Sequence, residues 1–85
     1  MKWQVTWTAP AQRELAEIWS AARDRQRLTE AVDRFDRSAE QDPRVDTDRY
    51  GNQERIAFAG PLAIVFRIID EESAVHVIDV FRYPG

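Results

Sequence analysis

The chain has 85 residues, with 12 basic and 15 acidic side chains, one histidine and no cysteine. A chain of this length has enough apolar surface for one modest core, so we predict a single domain across residues 1–85. The lack of cysteine excludes disulfides, thiol nucleophiles and cysteine metal sites. The formal net charge of −3, with no basic block, does not favour non-specific binding of nucleic acid.

The apolar segments of the sequence bear on cellular location. The N-terminal stretch MKWQVTWTAP lacks the apolar core of a signal peptide. The longest uncharged apolar run, 57–66, contains Gly60 and Pro61 and is about half of the ~20 residues that a membrane-spanning helix needs. We therefore expect a cytoplasmic protein that does not associate with membranes.

The first 22 residues predict a strand followed by an amphipathic helix. Trp3, Val5 and Trp7 alternate with polar residues, as in a half-buried strand. Thr8 is a suitable N-cap, and Pro10 suits the first helical turn, where its missing N–H removes no hydrogen bond. The apolar stripe at helical spacing consists of Ala11, Leu15, Ile18, Trp19 and Ala22.

The stripe of that first helix should face a sheet, and we expect Trp19 to lie in the core. A second stripe, Leu28, Val32, Phe35 and Ala39, repeats at i, i+4, i+7 and i+11. It predicts a second helix from about residue 25 to 40, ended by the proline at position 43. One long bent helix is the alternative, but a helical hairpin places both stripes on one sheet face.

Segment 42–53 is predicted to be a long loop. Asp46, Asp48 and Gly51 fit the first, third and sixth positions of a calcium loop, but Ala57 stands at the twelfth, where a bidentate glutamate is required. We therefore expect no metal site and, with no other ligand motif in the chain, no cofactor.

The last third of the chain predicts three strands. Residues 55–59 alternate, Gly60 and Pro61 form a turn, and two arms rich in β-branched residues, 62–70 and 74–82, predict a hairpin. Both faces of this hairpin are apolar, so the helices can cover only one of them. The second arm is predicted to place Val75, Val77, Asp79 and Phe81 on one face and His76, Ile78, Val80 and Arg82 on the other.

The predicted fold is therefore α+β with the order β-α-α-β-β-β, a small antiparallel-type sheet and two helices packed on one face. The segments TAPAQRELAEIW, ERIAFAGPLAIVFRI and VHVIDVFRYPG, in this order, resemble the RelE/ParE superfamily of toxins from bacterial type II toxin–antitoxin systems of the plasmid stabilisation type. The resemblance covers nearly the whole chain.

The resemblance implies a toxin that a cognate antitoxin neutralises by wrapping a helix or an extended segment around it. ParE-like toxins inhibit DNA gyrase, whereas RelE-like toxins cleave mRNA on the ribosome. We favour a ParE-like or divergent toxin that binds a macromolecular target. A RelE-like endonuclease is the first alternative, and a non-toxic interaction module with the same fold is the second. A homodimer is left open.

The RelE-like alternative carries its own candidate residues. Metal-free RNA cleavage needs a base, an acid and cations at the phosphate. By resemblance to the nucleases, Arg55, Arg82 and Tyr83 are the candidate catalytic residues. The candidate binding residues at the rim of the sheet are Arg67, His76 and Phe81. For Arg67, a salt bridge with Asp79 or Glu54 is an equally good interpretation.

Two departures from the nuclease pattern count against cleavage. Where the family strand carries a phosphate-binding arginine after the Gly-Pro turn, this chain has Ala63. The lysines that some nucleases place before that arginine are also missing, since Lys2 is the only lysine. Because one charge-stabilising donor is typically worth about 10²–10³ in rate, we expect poor nuclease activity.

Overall fold

The structure is a computed structural model that describes residues 2–83. The predicted order of elements is confirmed, with one additional strand. The strands are β1 (Gln4–Trp7), β2 (Asp48–Tyr50), β3 (Glu54–Ala59), β4 (Leu62–Ile69) and β5 (Ala74–Arg82). The helices are α1 (Ala9–Ala21) and α2 (Arg25–Gln41), and a 3₁₀ turn, Asp70–Glu72, joins β4 to β5. Within residues 2–83, no helix is long and apolar enough to cross a membrane.

The five strands form one sheet in the order β1-β5-β4-β3-β2. Strands β2 to β5 are an antiparallel meander, as predicted, but β1 pairs in parallel with β5, so the sheet is mixed. Parallel strands need a long connection, and here both helices and strands β2 to β4 lie between β1 and β5 in the sequence. Strand β2 lies inside the segment predicted as loop, and all three of its residues are exposed.

Both helices pack on one face of the sheet, here called the helix-covered face. Leu28 and Phe35 of α2 are buried there in one hydrophobic cluster with Phe66 of β4. The ring of Phe35 contacts Phe66 edge to face, with centroids 5.4 Å apart, and contacts Trp7 at 6.3 Å in the same way. This ladder of three rings joins the first strand, the second helix and the central strand into one core.

The capping interactions of α1 tie it to the sheet and to α2. Thr8 is the N-cap, as predicted, and its hydroxyl donates a 2.8 Å hydrogen bond to the carbonyl oxygen of Val77 in β5. At the other end, the Arg25 guanidinium donates to the carbonyl oxygens of Trp19 and Ser20 at 2.9 and 3.1 Å. These bonds satisfy carbonyls that a helix end leaves without partners.

The prediction that Trp19 lies in the core is wrong. Its side chain is 41% exposed on the outer surface of the helical hairpin. The Arg25 guanidinium lies 5.9 Å from the centroid of the indole ring, so the ring is covered by a cation rather than by the sheet. The apolar stripe of α1 has five residues. Trp19 lies at the margin of this stripe, so its side chain points past the sheet and not onto it.

A β-bulge in β5 corrects the predicted faces of that strand. Val65 is opposite Asp79, but the next residue, Phe66, is opposite Val77, which leaves Ile78 as the extra residue. Beyond Ile78 every side chain therefore points to the face opposite to the one predicted. Val75, Val77, Val80 and Arg82 lie on the helix-covered face, whereas His76, Asp79 and Phe81 lie on the other.

Candidate functional site

The face of the sheet opposite the helices, here called the open face, is the candidate binding surface. Among residues 2–83, no helix packs on it, and its only buried cluster is Ile56, Ala63 and Val65 with Ile78 against them. Strand register arranges its side chains in rows that run across the strands. Three rows carry the features relevant to function: an aromatic, an acidic and a polar row.

The aromatic row lies beside the Gly-Pro turn. Phe58, Ala63 and Phe81 are cross-strand neighbours, and the ring of Tyr83 lies 4.7 Å from that of Phe58. The three rings are 51, 38 and 44% exposed for Phe58, Phe81 and Tyr83, while Ala63 has no exposed surface. Large aromatic side chains on a solvent-facing sheet are typical of contact surfaces for partners.

The acidic row is the next one along the strands. Its order across the sheet is Asp79, Val65, Ile56 and Asp48. Val65 and Ile56 are buried, whereas both carboxylates are exposed at the two ends. One oxygen of Asp79 accepts a 2.9 Å hydrogen bond from the backbone N–H of Val80, which orients that carboxylate just after the bulge.

The polar row spans all five strands. Its order across the sheet is Thr6, His76, Arg67, Glu54 and Tyr50. Arg67 donates a 2.9 Å hydrogen bond to a carboxylate oxygen of Glu54, so the salt-bridge interpretation holds, with Glu54 and not Asp79 as the partner. The predicted binding residues Arg67 and His76 are thus direct neighbours on the open face, and Phe81 lies on the same face.

Arg55, the first candidate catalytic residue, lies on the helix-covered side of β3, opposite Phe66. Its guanidinium donates to the hydroxyl of Thr47 at 2.9 Å and to the carbonyl oxygen of Thr47 at 2.8 Å. Arg55 therefore fastens the loop after α2 to the sheet, and its donors are directed away from the open face.

Arg82, the second candidate, also lies on the helix-covered side. It forms a 2.8 Å ion pair with Asp24, the last of the three residues between α1 and α2 and the N-cap of α2. The hydrogen bond from Arg82 holds the pKa of Asp24 below its usual value, and the same bond raises the pKa of Arg82. The end of the last strand is thereby tied to the turn of the helical hairpin.

The structure does not bring the three candidate catalytic residues together. Arg55 is opposite Phe66 and Arg82 is opposite Leu62, four residues apart along β4, which corresponds to about 13 Å along the strand direction. Tyr83 has its ring against Phe58 on the opposite face of the sheet. Neither arginine shares a surface with the tyrosine hydroxyl.

The family of the chain follows from comparison with known sequences. The family described as the ParE toxin of type II toxin-antitoxin systems, parDE, matches residues 5–82. The chain belongs to the ParE toxin family. No curated protein matches this family member significantly.

Two solved structures illustrate that other proteins have the same fold. A chain from the toxin–antitoxin complex RelBE2 of Mycobacterium tuberculosis is 21% identical to this ParE-family chain, covers 98% of it and 100% of its own length, and has a TM-score of 0.80. A double arginine-to-alanine mutant of the E. coli toxin RelE in the free state is 17% identical, covers 96% of this chain and 84% of its own length, and has a TM-score of 0.68. The predicted RelE/ParE-like fold is confirmed.

Sequence reasoning missed part of the open face of this ParE-family protein. The alternation of residues 55–59 predicted a strand but did not single out Phe58, which lies half exposed on the open face. Asp48 and Tyr50 were assigned to a loop because β2 has no apolar residue facing the core. The sequence signal that could have identified β2 is Gly51. In the structure it has a left-handed backbone conformation in the tight turn that joins β2 to β3.

Proposed function

We propose that this ParE-family toxin acts by binding a macromolecular target, rather than by cutting RNA, and that an antitoxin neutralises it. The observation that carries the proposal is the placement of the candidate catalytic residues. Arg55 and Arg82 are held in internal bonds on the helix-covered side, and Tyr83 lies on the opposite face. A phosphodiester lying on the open face would meet neither arginine.

The position of Ala63 gives the proposal a chemical basis. Cleavage of RNA without metal requires cationic donors aimed at the phosphate as charge develops in the transition state. The resemblance to the nucleases leads us to expect an arginine at this position, but Ala63 is completely buried between Phe58 and Phe81. The centre of the open face therefore offers a phosphate apolar surface and no donor.

A second candidate function, a RelE-like mRNA endonuclease, is favoured by one feature, the polar row. His76, Arg67 and Glu54 are neighbours there, and Tyr50 lies at the row's end, so a base, an acid and a cation share one surface. We rank it second because Arg67 is neutralised by Glu54 at 2.9 Å and the adjacent acidic row would repel a phosphate backbone.

The antitoxin belongs to the proposal because of the family and of the apolar surface that the chain leaves exposed. The related RelBE2 chain was crystallised in a toxin–antitoxin complex. Exposed aromatic side chains lie on both sides of this chain: Trp19 outside the helical hairpin, and the aromatic row on the open face. A partner that wraps a helix and an extended segment around the domain could cover both. We place the action in the cytoplasm, where the candidate targets, DNA gyrase and the ribosome, are found.

Induced expression in a bacterial host tests the proposal. Growth is followed together with primer-extension mapping of a reporter mRNA and with a supercoiling assay of gyrase in the lysate. We expect growth arrest without new codon-phased 5′ ends. Tyr83→Phe, which keeps the ring against Phe58 but removes the hydroxyl, should arrest growth as the wild type does.

The matched variants for this experiment are Arg82→Ala and Arg44→Ala. Each removes one partner of a surface ion pair, with Asp24 at 2.8 Å and with Asp70 at 3.0 Å respectively. Codon-phased cleavage by the wild type would replace the proposal with the nuclease, and its loss in Arg82→Ala but not in Arg44→Ala would assign a part in it to Arg82. Unimpaired growth with soluble protein would instead leave a non-toxic interaction module.

A further inference from the structure

Two pairs of an aromatic ring and a carboxylate flank the centre of the open face. On β5, Asp79 and Phe81 are two residues apart and point to the same side. On the other flank, Asp48 of β2 is opposite Ile56, and Phe58 is the next residue of β3 on that face, so Asp48 and Phe58 are diagonal neighbours. The two pairs are separated by the central strand.

A ring beside a carboxylate is suited to a cationic side chain. A guanidinium or ammonium group can lie over the ring face while it pairs with the carboxylate, and the two attractions add. Neither Asp48 nor Asp79 has an ion-pair partner among residues 2–83. Both carboxylates are exposed and therefore available to a cation from outside the chain.

The overall charge of the open face has the same implication. Its three rows carry the carboxylates of Asp48, Glu54 and Asp79 and a single guanidinium, that of Arg67, which is already paired with Glu54. A surface of this sign repels a phosphate backbone and attracts basic segments. The chemistry of the surface thus selects a polypeptide over a nucleic acid.

The distance between the two pairs sets the spacing of the cations. Asp48 and Asp79 are in the same row and three strands apart, which corresponds to about 14 Å between their Cα atoms. In an extended segment this distance separates residues i and i+4, at roughly 3.4 Å per residue. In a helix it would separate residues about nine apart.

We propose that the open face binds an extended segment of a protein target that carries basic residues at i and i+4 with an apolar residue between them. The segment crosses the strands, one cation lies between Phe81 and Asp79, and the other lies between Phe58 and Asp48. The apolar residue of the segment packs on Val65 and Ile56, which are buried at the centre of the open face. This inference rests on the proposed function, since it names the surface and the kind of target segment through which the toxin acts.

Peptide titrations followed by amide chemical shifts of the ¹⁵N-labelled full chain test the proposal. The probe is acetyl-Arg-Ser-Leu-Ser-Arg-amide, and acetyl-Ser-Arg-Leu-Arg-Ser-amide, of the same composition and charge, is the spacing control. We expect the first peptide to bind at least about threefold more tightly and to shift the amides of β3 and β5. Equal affinity for both peptides, or shifts confined to the helices, would overturn the proposal.

The protein variants for the titration are Asp48→Asn and Asp79→Asn, with Glu17→Gln as the matched control on an exposed position of α1. Asparagine keeps the oxygen that accepts the N–H of Val80, so the Asp79 variant can retain this hydrogen bond within the strand. Each open-face variant should weaken the probe about threefold, and the two together about tenfold, while the control changes nothing. Tighter binding of hexauridylate than of the probe would assign the face to RNA and overturn the proposal.

A growth assay assigns the face to the target. If the wild type arrests growth, the double variant Asp48→Asn, Asp79→Asn should lose the arrest while it keeps its thermal midpoint. Full arrest in a double variant that no longer binds the probe would overturn the assignment to a target and leave the face to the antitoxin.

Sedimentation that shows dimers of the wild type and monomers of the double variant would assign the open face to a second copy of the chain. If the wild type never arrests growth, the proposed function fails, whereas the titration still decides what the face binds.

Discussion

The two faces of the sheet are built from the same strands and both carry large apolar side chains, yet only one of them forms the main core. On the helix-covered face, Phe66 is completely buried against Phe35. On the open face, Phe58 is 51% exposed, although it belongs to the neighbouring strand. The comparison shows that burial of the first face builds the core, while much of the apolar surface of the second stays exposed to solvent.

The largest expected effect comes from deleting a residue of the central strand, because the deletion moves the side chains that follow it in that strand to the opposite face of the sheet. Deletion of Val65 would move every later side chain of β4, including Phe66, to the opposite face. We expect no cooperative unfolding transition in this variant. Deletion of Ile78 removes the extra residue of the bulge and leaves Val77, Asp79 and the rest of β5 on their present faces.

The Ile78 deletion is therefore the matched control for the Val65 deletion. It should stay folded and lose on the order of 1–2 kcal/mol, because Ile78 packs only partly against the buried cluster of the open face. Urea unfolding followed by circular dichroism measures both variants. If both deletions unfold the protein, the bulge itself is essential to the sheet. The loss of folding in the Val65 variant could then not be attributed to side chains that change faces.

The second effect compares one phenylalanine from each face. Phe66→Ala creates a cavity in the three-ring ladder, and we expect it to lower the free energy of unfolding by about 3–5 kcal/mol. Phe58→Ala removes a half-exposed ring and its contact with Tyr83, so a loss of about 1 kcal/mol or less is expected. Chemical unfolding with a common m-value tests the difference; similar losses would mean that the open face is part of the core.

The sequence predicted most of the helix-covered face because apolar periodicity reports burial against a neighbouring layer. The stripe of α2, the strand alternation before Thr8 and both arms of the hairpin were all recognisable in that way. The faces of β5 were not, since the bulge at Ile78 inverts the alternation and only the pairing with β4 reveals it. Trp19 was misplaced because a stripe does not show where the sheet ends.

The candidate site was less predictable than the fold, because side-chain type does not specify which face or which partner a residue has. Arg82 and Tyr83 are adjacent in sequence, yet they point to opposite sides of the sheet. The acidic row could not be recognised from the sequence at all, as its members are drawn from four strands and one of these, β2, lacked a strand signal.

A smaller effect is expected from the partial burial of a carboxylate at the edge of the helix-covered side, which lowers the stability of the fold. Asp36 of α2 is half-buried and accepts a 3.0 Å hydrogen bond from the indole N–H of Trp7. Burial raises the pKa of this carboxyl above 3.8, and the hydrogen bond from Trp7 opposes the shift only in part. The folded chain thus holds this proton to a higher pH than the unfolded chain, and stability is lost as the pH rises through the folded pKa.

The variant Asp36→Asn removes that loss and keeps an oxygen acceptor for Trp7. We expect it to be more stable than the wild type at pH 7, and the difference to disappear below pH 3.8, where both forms are neutral. Glu30→Gln, at another exposed position of the same helix, is the control and should show little change. A less stable Asp36→Asn at pH 7 would mean that the charged hydrogen bond to Trp7 outweighs burial.

The smallest effect is expected at the ion pair that ties the end of β5 to the turn of the helical hairpin. Arg82 lowers the pKa of Asp24, so the pair stabilises the fold above pH 3.8, and this contribution is lost as the pH falls through the folded pKa. Because both side chains reach the surface, salt should screen the attraction. A double-mutant cycle of Asp24→Asn and Arg82→Ala at pH 7 should therefore show a small coupling that vanishes in about 1 M salt. A coupling that survives salt and low pH would show that packing, and not the attraction of the two charges, holds the contact.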